Sequence, residues 1–394
     1  MNRAAGNACE WDLSLIAWGL PSAHGTFSGY ARHLAEALRG DGRLRREFSM
    51  KQMRPWDVLS GALRLGWHEP RVQVNRLWMW SEHGSRALTR RLNRQIRAAG
   101  DRGAFLQIGT QVTLDRDLGA HYVLTDMTIP QACRARQFGF GRFSQRRVDA
   151  AVEVQRGVLH DACHVFALSE WTKQSIVDDF DVDPSNVTVV YAGSNLRIDA
   201  SLQQARNRRE ILFVGIDWER KGGPLLLEAF RIARQRLPDV TLSIVGCSPQ
   251  VHDTGVVVEG FLDRRNPAEF ERLSRCYLRA ACMCLPSLFD PFPNAIIEAA
   301  TAGLPTVAID NGSRREAVID QQTGILARSP DAEAIAEALV ALLEDPARCE
   351  AMGREAQRRS ETFTWAHVIA RIGAVAASPG SDPATAAHHL QPVA

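Results

Sequence analysis

Short apolar segments alternate with amphipathic helical patterns throughout this 394-residue chain. The alternation predicts an α/β protein, because each helix in such a fold covers one face of a parallel sheet. A polar stretch after residue 196 interrupts the alternation, which starts afresh at residue 211. The chain is long enough for two domains of ordinary size, and each half resembles a Rossmann-like unit. We therefore predict two such domains.

The first half is predicted to contain six strands, namely Trp11–Trp18, Phe48–Met53, Phe105–Ile108, Tyr122–Leu124, His164–Ser169 and Val187–Ala192. Its predicted helices are Ser28–Arg39, Gly84–Ala99 and Phe143–His160. Five strands are predicted in the second half, namely Ile211–Gly215, Thr241–Gly246, Val256–Gly260, Cys282–Pro286 and Thr306–Ile309. Its predicted helices are Gly223–Leu237, Pro267–Ala280, Asn294–Thr301, Ala332–Leu343 and Arg348–Ser360.

These patterns divide the chain into an N-terminal domain over 1–196, a linker over 197–210 and a C-terminal domain over 211–362. A last helical segment covers 363–376. The remainder, 377–394, contains Ser, Pro, Gly and two His residues and is predicted to be a disordered tail.

Charge is distributed unevenly along the chain. Residues 1–160 contain 24 Lys and Arg against 14 Asp and Glu, whereas the remaining residues contain 23 against 31. A basic first half and an acidic second half favour different partners, and no nucleic-acid recognition motif is present. The apolar runs are too short to span a bilayer, and the chain starts without a signal-peptide pattern. The eight cysteines show no disulfide framework, so a cytoplasmic protein with reduced thiols is predicted.

The segment 288–305 is the most informative motif for function. It places two carboxylates, Asp290 and Glu298, with seven residues between them. Pro293 suits the first position of a helix, and Asn294 offers a cap. The N–H groups of the first turn would then form an anion site. Two carboxylates on either side of a phosphate-sized site suit a nucleotide sugar, which has hydroxyls at both ends and phosphate between them.

This segment resembles the retaining glycosyltransferases of the GT-B fold, specifically glycosyltransferase family 4, known for a Glu-x7-Glu motif. Asp290 stands in place of the first Glu, and Glu298 matches the second. The resemblance implies two Rossmann-like domains that face each other across a cleft, with the last helix crossing back to the first domain. It also implies a donor site. Asp290 and the amides of Asn294, Ala295 and Ile296 would hold the sugar and diphosphate, and Glu298 would bind the ribose.

A second loop carries two cations, Arg220 and Lys221, between the strand that ends at Gly215 and a helix that begins with glycine. Cations at a helix N-terminus oppose the dipole unless an anion binds there. The family pattern is Gly-Arg followed by Lys-Gly, and Lys221 matches its second part. Ile216 occupies the place of the Arg, and Arg220 is predicted to compensate for it. Gly215, Arg220 and Lys221 are therefore predicted to contact the donor diphosphate.

Two positions in the first half are candidate site residues by the same resemblance. Gly25 lies in a glycine-containing loop that would line the cleft. Asp126 follows a strand where the family often has His-Asp, and Thr125 replaces the His. One hypothesis makes Asp126 the base that deprotonates the acceptor. The alternative makes it a structural cap for the helix from Ile129 onward.

The predicted helix Gly84–Ala99 has an arginine face opposite an apolar stripe, with Arg86, Arg90, Arg94 and Arg97 against Leu88, Leu92 and Ile96. A solvent-exposed face is the simpler interpretation. The alternative is contact with anionic lipid, assisted by Arg43, Arg45 and Arg46, because acceptors in this family are often lipid-linked.

The resemblance implies a retaining, metal-independent hexosyltransferase without a cofactor. It would move a sugar from a nucleotide-diphosphate sugar to a glycan or lipid-linked acceptor in polysaccharide or glycolipid synthesis. It would act in the cytoplasm or on the inner membrane face. Two alternatives remain: a nucleotide-sugar epimerase or phosphorylase on the same fold, and a non-catalytic nucleotide-sugar-binding or membrane-associated protein.

Overall fold

The computed structural model describes residues 11–22, 29–51, 57, 78–196, 202 and 205–377. Gly25, half of the predicted linker and nearly all of the predicted tail lie outside these residues. The chain forms two compact units. Unit 1 comprises Met1–Tyr191 with Trp365–Ala394, and unit 2 comprises Ala192–Thr364.

Unit 1 contains a six-stranded parallel sheet with strand order β2-β1-β3-β4-β5-β6. Its strands are β1 Leu13–Ala17, β2 Leu44–Ser49, β3 Gly103–Ile108, β4 Gly119–Thr125, β5 His164–Ala167 and β6 Val187–Val189. Its helices are α1 Tyr30–Gly40, α2 Glu82–Ala98, α3 Ile129–Arg134, α4 Gln145–Asp161, α5 Glu170–Phe180 and, from the end of the chain, α12 Trp365–Ala376. Helices cover the sheet because the central strands are apolar on both faces.

The second strand was predicted about four residues too late. It runs over Leu44–Ser49 and pairs with β1, where Ile16 aligns with Phe48. Most of its side chains are half-exposed because it is the edge strand. An edge strand needs few apolar residues, so its polar start was not recognisable as a strand.

Helix α2 confirms the predicted separation of its two faces. Leu88, Leu92 and Ile96 are buried, whereas the arginine face is exposed to solvent. The three arginines that were expected to assist this face, Arg43, Arg45 and Arg46, make contacts within unit 1. Arg45 pairs with Asp101, and Arg43 and Arg46 donate to backbone carbonyls. These three arginines are therefore engaged in contacts within unit 1 and do not add free charges to the arginine face of α2. Contact of that face with lipid stays a prediction.

Helix α12 packs on α1 within unit 1. The rings of Tyr30 and Trp365 meet edge to face at 5.0 Å, and His33 stacks on Trp365 at 6.1 Å. Arg371 also donates to the carbonyl of Val189 at 2.7 Å, which ties the helix to β6. The first and last of the helices named above, α1 and α12, therefore pack together in one unit.

Unit 2 contains the second six-stranded parallel sheet, with strand order β12-β11-β10-β7-β8-β9. Its strands are β7 Glu210–Val214, β8 Thr241–Val245, β9 Val256–Gly260, β10 Cys282–Leu285, β11 Thr306–Ile309 and β12 Gly324–Ala327. Its helices are α6 Gly223–Arg236, α7 Pro267–Arg279, α8 Asn294–Thr301, α9 Arg314–Ala317, α10 Ala332–Leu343 and α11 Pro346–Ser360. The predicted α/β class with parallel sheets in both halves is confirmed.

The order of strands in unit 2 creates a switch point between β7 and β10. After β7 the chain adds β8 and β9 on one side, and it then returns to place β10, β11 and β12 on the other. The loops that leave β7 and β10 therefore diverge from adjacent carboxyl ends. Such crevices are the usual ligand sites of open parallel sheets.

Candidate functional site

The switch point of unit 2 brings the two predicted motifs together. Gly215 follows β7 directly, and Lys221 lies just before α6. Asp290 lies in the loop between β10 and α8. The two loops are also joined by backbone, since the N–H of Leu288 donates to the carbonyl of Arg220 at 3.2 Å. Residues separated by 69 positions in sequence thus form one site.

Lys221 and Asp290 form an ion pair, in which the Nζ of the lysine donates to Oδ2 of the aspartate. Their side chains are only 13% and 7% exposed. Breaking a pair this sheltered is unfavourable unless another charge replaces the lost partner. An anion that binds Lys221 therefore competes with Asp290 for the N–H groups of the ammonium.

Arg220 has a different environment from its neighbour. Its Nε donates to Asp217 at 3.2 Å, and its Nη1 donates to the carbonyl of Phe289 at 3.1 Å. The guanidinium therefore ties the two loops together. A role on the diphosphate, as predicted, would use the guanidinium N–H groups that these two contacts leave over.

The start of α8 differs from the predicted arrangement. The helix begins at Asn294, and Pro293 is its cap residue without a side-chain hydrogen bond. The predicted cap at Asn294 is wrong, because this residue already belongs to the helix. The N–H of Ile296 donates to the carbonyl of Pro293 at 2.9 Å. Within the described ranges, the N–H groups of Asn294 and Ala295 have no protein acceptor, and these two are the ones available to an anion.

Glu298 is buried and already well hydrogen-bonded. Arg264 donates to both of its oxygens, at 2.6 Å and 2.7 Å, and the hydroxyl of Tyr277 donates to Oε2 at 2.8 Å. Burial alone would lower the pKa of Arg264, but the charge and hydrogen bonds of Glu298 outweigh it and raise the pKa above its ordinary value. Burial raises the pKa of Tyr277 well above its ordinary value, so the phenol stays a donor. A ribose hydroxyl would have to bind the remaining lone pairs of this carboxylate.

Arg314 is a buried cation beneath the same loop, and the sequence did not single it out. It is 2% exposed and donates to the carbonyls of Asp290 at 2.8 Å and Ser287 at 3.3 Å. Burial lowers its pKa to about 10. The arginine fixes the loop that presents Asp290. Its neighbour Arg315 is exposed, and nothing in the sequence distinguishes the two.

The two predicted site residues of the first half belong to unit 1. Gly25 lies outside the described residues. Asp126 follows β4, and its backbone carbonyl accepts a hydrogen bond from Thr172 at 2.6 Å. The helix α3 is capped by Thr128 in a capping box with Gln131. The structural hypothesis for Asp126, a helix cap, is therefore wrong.

Asp126 lines an open pocket of about 180 Å³ in unit 1. The pocket lies where β3 and β4 end, since Gly109, Thr110 and Thr125 also line it. Within the parts of the chain that the structure describes, no cluster of His, Cys, Asp and Glu suits a metal ion. None of the described helices is long and apolar enough to span a membrane.

Residues 195–359 match the family model described as Glycosyl transferases group 1, and this segment lies within unit 2. Curated relatives include two proteins named D-inositol 3-phosphate glycosyltransferase. The one from Corynebacterium glutamicum is 28% identical over 228 residues, covering 51% of this chain and 54% of that protein. The one from Paenarthrobacter aurescens is 31% identical over 205 residues, covering 49% and 50%. The chain thus spans about half the length of the curated relatives it matches.

Solved structures resemble the chain over nearly its whole length. Sucrose-phosphate synthase from Thermosynechococcus elongatus has a TM-score of 0.67 at 19% identity, covering 93% of this chain and 98% of that one. WaaG, a glycosyltransferase involved in lipopolysaccharide biosynthesis, has a TM-score of 0.64 at 13% identity, covering 92% and 99%. HepE from Anabaena, solved with UDP and glucose, has a TM-score of 0.61 at 15% identity, covering 94% and 100%. At these identities the likeness shows the fold, and it confirms the predicted GT-B class.

Proposed function

We propose that this chain is a retaining glycosyltransferase that moves a sugar from a nucleotide-diphosphate sugar to a glycan or lipid-linked glycan. The observation that carries the proposal is the Lys221–Asp290 pair at the switch point of unit 2. It lies within the segment that matches the glycosyltransferase family model. A cation and the start of α8 flank Asp290, which suits a diphosphate that carries a sugar.

The pair suggests how the donor binds. The diphosphate replaces Asp290 as the partner of Lys221, and the N–H groups of Asn294 and Ala295 donate to its oxygens. The released carboxylate of Asp290 then accepts hydrogen bonds from the sugar hydroxyls. Each charge exchanges one partner for another, so neither is left buried and unpaired.

The same groups support the chemistry. The bond between the anomeric carbon and the diphosphate oxygen breaks, and its electron pair stays on the diphosphate. Lys221 and the helix start stabilise that developing charge, and stabilisation of this kind commonly lowers an enzymatic barrier more than any other effect. The acceptor hydroxyl forms the new bond and loses its proton, and Asp126 is our candidate for a base in unit 1. These cationic groups supply the charge, so the proposed reaction uses no metal.

We place this activity in the cytoplasm, in polysaccharide or glycolipid synthesis, with the exposed arginine face of α2 as the contact to an anionic inner membrane surface. The curated relatives are named for an inositol phosphate acceptor. An inositol phosphate and neutral sugars are therefore the first acceptors to test.

The test uses two substitutions with opposite expected effects. UDP, GDP, ADP and dTDP are titrated against the full chain by calorimetry, and we expect at least one to bind. Lys221→Met should weaken that nucleotide at least tenfold, because the diphosphate loses its cation. Asp290→Asn should leave its affinity equal or higher, because Lys221 is freed, yet it should abolish sugar transfer. Lys51→Met, at an exposed lysine, is the matched control.

The proposal fails if none of these nucleotides binds, or if Lys221→Met binds them as the native chain does. Sugar transfer is measured as the amount of nucleoside diphosphate released from its hexose conjugates. The measurement is made with and without added acceptor. Epimerised donor in the absence of acceptor would instead support the alternative epimerase. Binding without any turnover would support the non-catalytic alternative.

A further inference from the structure

Helix α8 sets the distance between two parts of the donor site. Asn294 begins the helix, and Glu298 lies four residues further along it. Residues at this spacing lie on the same face of a helix, one turn or ~6 Å apart. The proposed function places the donor diphosphate at the start of α8, and ribose is the next part of a nucleotide after its phosphates. The side chains one turn into the helix are therefore candidates for contact with the ribose.

Glu298 itself is enclosed by its hydrogen-bond donors. Its side chain is only 2% exposed. Arg264 donates to Oε1 at 2.6 Å and to Oε2 at 2.7 Å, and the hydroxyl of Tyr277 donates to Oε2 at 2.8 Å. Tyr277 is fully buried as well. Neither the carboxylate nor the phenol is open to a ligand while these contacts persist.

Arg264 is the member of this group that reaches the surface. Its side chain is 29% exposed. It lies in the loop after β9, and because the sheet is parallel, that loop leaves the same edge as the loops after β7 and β10. A guanidinium has five N–H groups, and Glu298 accepts hydrogen bonds from two of those of Arg264. The remaining N–H groups can donate to a ligand at this edge.

A guanidinium and a carboxylate recognise different features of a sugar. A carboxylate only accepts and would need an O–H donor, whereas a guanidinium only donates and needs an oxygen acceptor. Ribose carries hydroxyl oxygens on two adjacent carbons, and the planar fork of a guanidinium suits two acceptors side by side. A 2′-deoxyribose would offer the fork only one of these two oxygens.

We propose that Arg264 is the residue that contacts the ribose of the donor, with its guanidinium donating to the 2′ and 3′ hydroxyl oxygens. Glu298 and Tyr277 act through it, because they hold the guanidinium in one orientation. Arg264 thereby takes the contact that the sequence predicted for Glu298, and it selects ribonucleotides over their 2′-deoxy counterparts. The inference rests on the proposed function, because it assigns one part of the same donor site.

The experiment compares a ribonucleotide with its 2′-deoxy counterpart by calorimetry on the full chain. The probe is the tightest of UDP, GDP and ADP. In the native chain the 2′-deoxy form should bind about tenfold more weakly, because a charge-assisted hydrogen bond is lost. Arg264→Met should abolish that preference. Glu298→Gln should keep it, because the amide oxygen of Gln still accepts from Arg264. The matched control is Arg265→Met, at the next arginine, whose side chain is 56% exposed and paired with Asp263.

A second comparison covers the case in which Arg264→Met does not fold. The double variant Arg264→Met/Glu298→Gln removes both charges and should keep more stability than Arg264→Met alone. The preference for the 2′-hydroxyl should then survive in Glu298→Gln and disappear when Arg264→Met is added to it. Loss of the preference in Glu298→Gln alone would indicate direct contact between Glu298 and ribose, and it would overturn the inference.

Two further results would also overturn it. If Arg264→Met weakens the ribonucleotide and its 2′-deoxy form equally, the arginine acts on another part of the nucleotide. If the native chain binds both forms equally, or binds dTDP alone, the 2′-hydroxyl is not recognised. In each of these cases the proposed function stands, since a nucleotide still binds. Absence of binding by all four nucleoside diphosphates would instead count against the proposed function.

Discussion

Replacing Gly222 by alanine should test how closely the loop after β7 and the loop after β10 must approach each other. Gly222 precedes α6 with a φ of 77°, in the left-handed region. A Cβ built on it would lie 2.0 Å from the carbonyl oxygen of Pro286, the residue that follows β10. Two separate penalties therefore arise, one from the backbone conformation and one from the clash.

The two penalties can be separated in magnitude. A left-handed residue that is not glycine costs roughly 1–2 kcal/mol. The clash requires a shift of about 1 Å or more in backbone atoms, since real Cβ atoms essentially never approach within 3.0 Å. Overpacking of this kind costs a further ~1–3 kcal/mol. The same shift would move Lys221, and a displacement of about 1 Å at such a site can lower activity on the order of a hundredfold.

Gly260 provides the matched control in unit 2. Its φ is 74°, and its Cβ would meet only Ser248 Oγ at 3.5 Å, an ordinary contact. Urea unfolding should therefore show a loss of roughly 1–2 kcal/mol for Gly260→Ala and about 2–5 kcal/mol for Gly222→Ala. Nucleoside diphosphate affinity should fall at least tenfold only in Gly222→Ala. Equal losses of stability in the two variants, with native affinity in Gly222→Ala, would refute the reasoning.

Three further substitutions test other parts of the fold. Arg206→Met should lower the free energy of unfolding by about 2–4 kcal/mol, because the guanidinium of Arg206 donates to carbonyls at the ends of α7 and α8. Arg208→Met, at an exposed arginine, should change that free energy little, and urea titration compares the two variants. Arg264→Met should lower the free energy of unfolding by about 3–5 kcal/mol, because it leaves the carboxylate of Glu298 buried without its cation. Adding Glu298→Gln to that variant should restore much of the lost stability. Burial lowers the pKa of His121 from 6.5 to about 4. Below pH 6.5 this histidine therefore binds a proton more readily in the unfolded chain than in the folded one. The free energy of unfolding should fall by about 3 kcal/mol as the pH drops from 6.5 towards 4. A chain with His121→Gln should lose less stability over that range, and a pH slope equal to the native one would contradict this assignment.

The sequence was sufficient to predict the parallel architecture and most elements of unit 2. Strands such as Cys282–Leu285 are fully buried and consist of apolar residues, so their composition alone marks them. The positions of Lys221 and Asp290 also follow from sequence, because loops after adjacent parallel strands meet at one edge of the sheet. Their direct pairing was not predicted, since the resemblance assigned them separately to diphosphate and sugar.

The remaining site contacts depend on residues that come together only in the folded chain. Arg264 binds Glu298 across 34 positions, and Arg314 reaches the carbonyl of Asp290 across 24. Neither arginine differs in its local sequence from the exposed arginine that follows it. Burial selects one member of each pair, and burial is a property of the tertiary structure. The cap of α8 was misplaced for a related reason, because a proline-rich entry leaves several starting positions equally plausible.

The position of α12 has a consequence for how the chain acquires its structure during synthesis. Unit 2 is one continuous segment, so all of it has left the ribosome before α12 is complete and free to pack. Unit 1 is interrupted, and the surface of α1 around Tyr30 gains its partner only when α12 arrives. The second unit to be synthesised can therefore be the first to complete its core. Chaperone binding to a nascent chain that ends after Thr364 should accordingly map to unit 1.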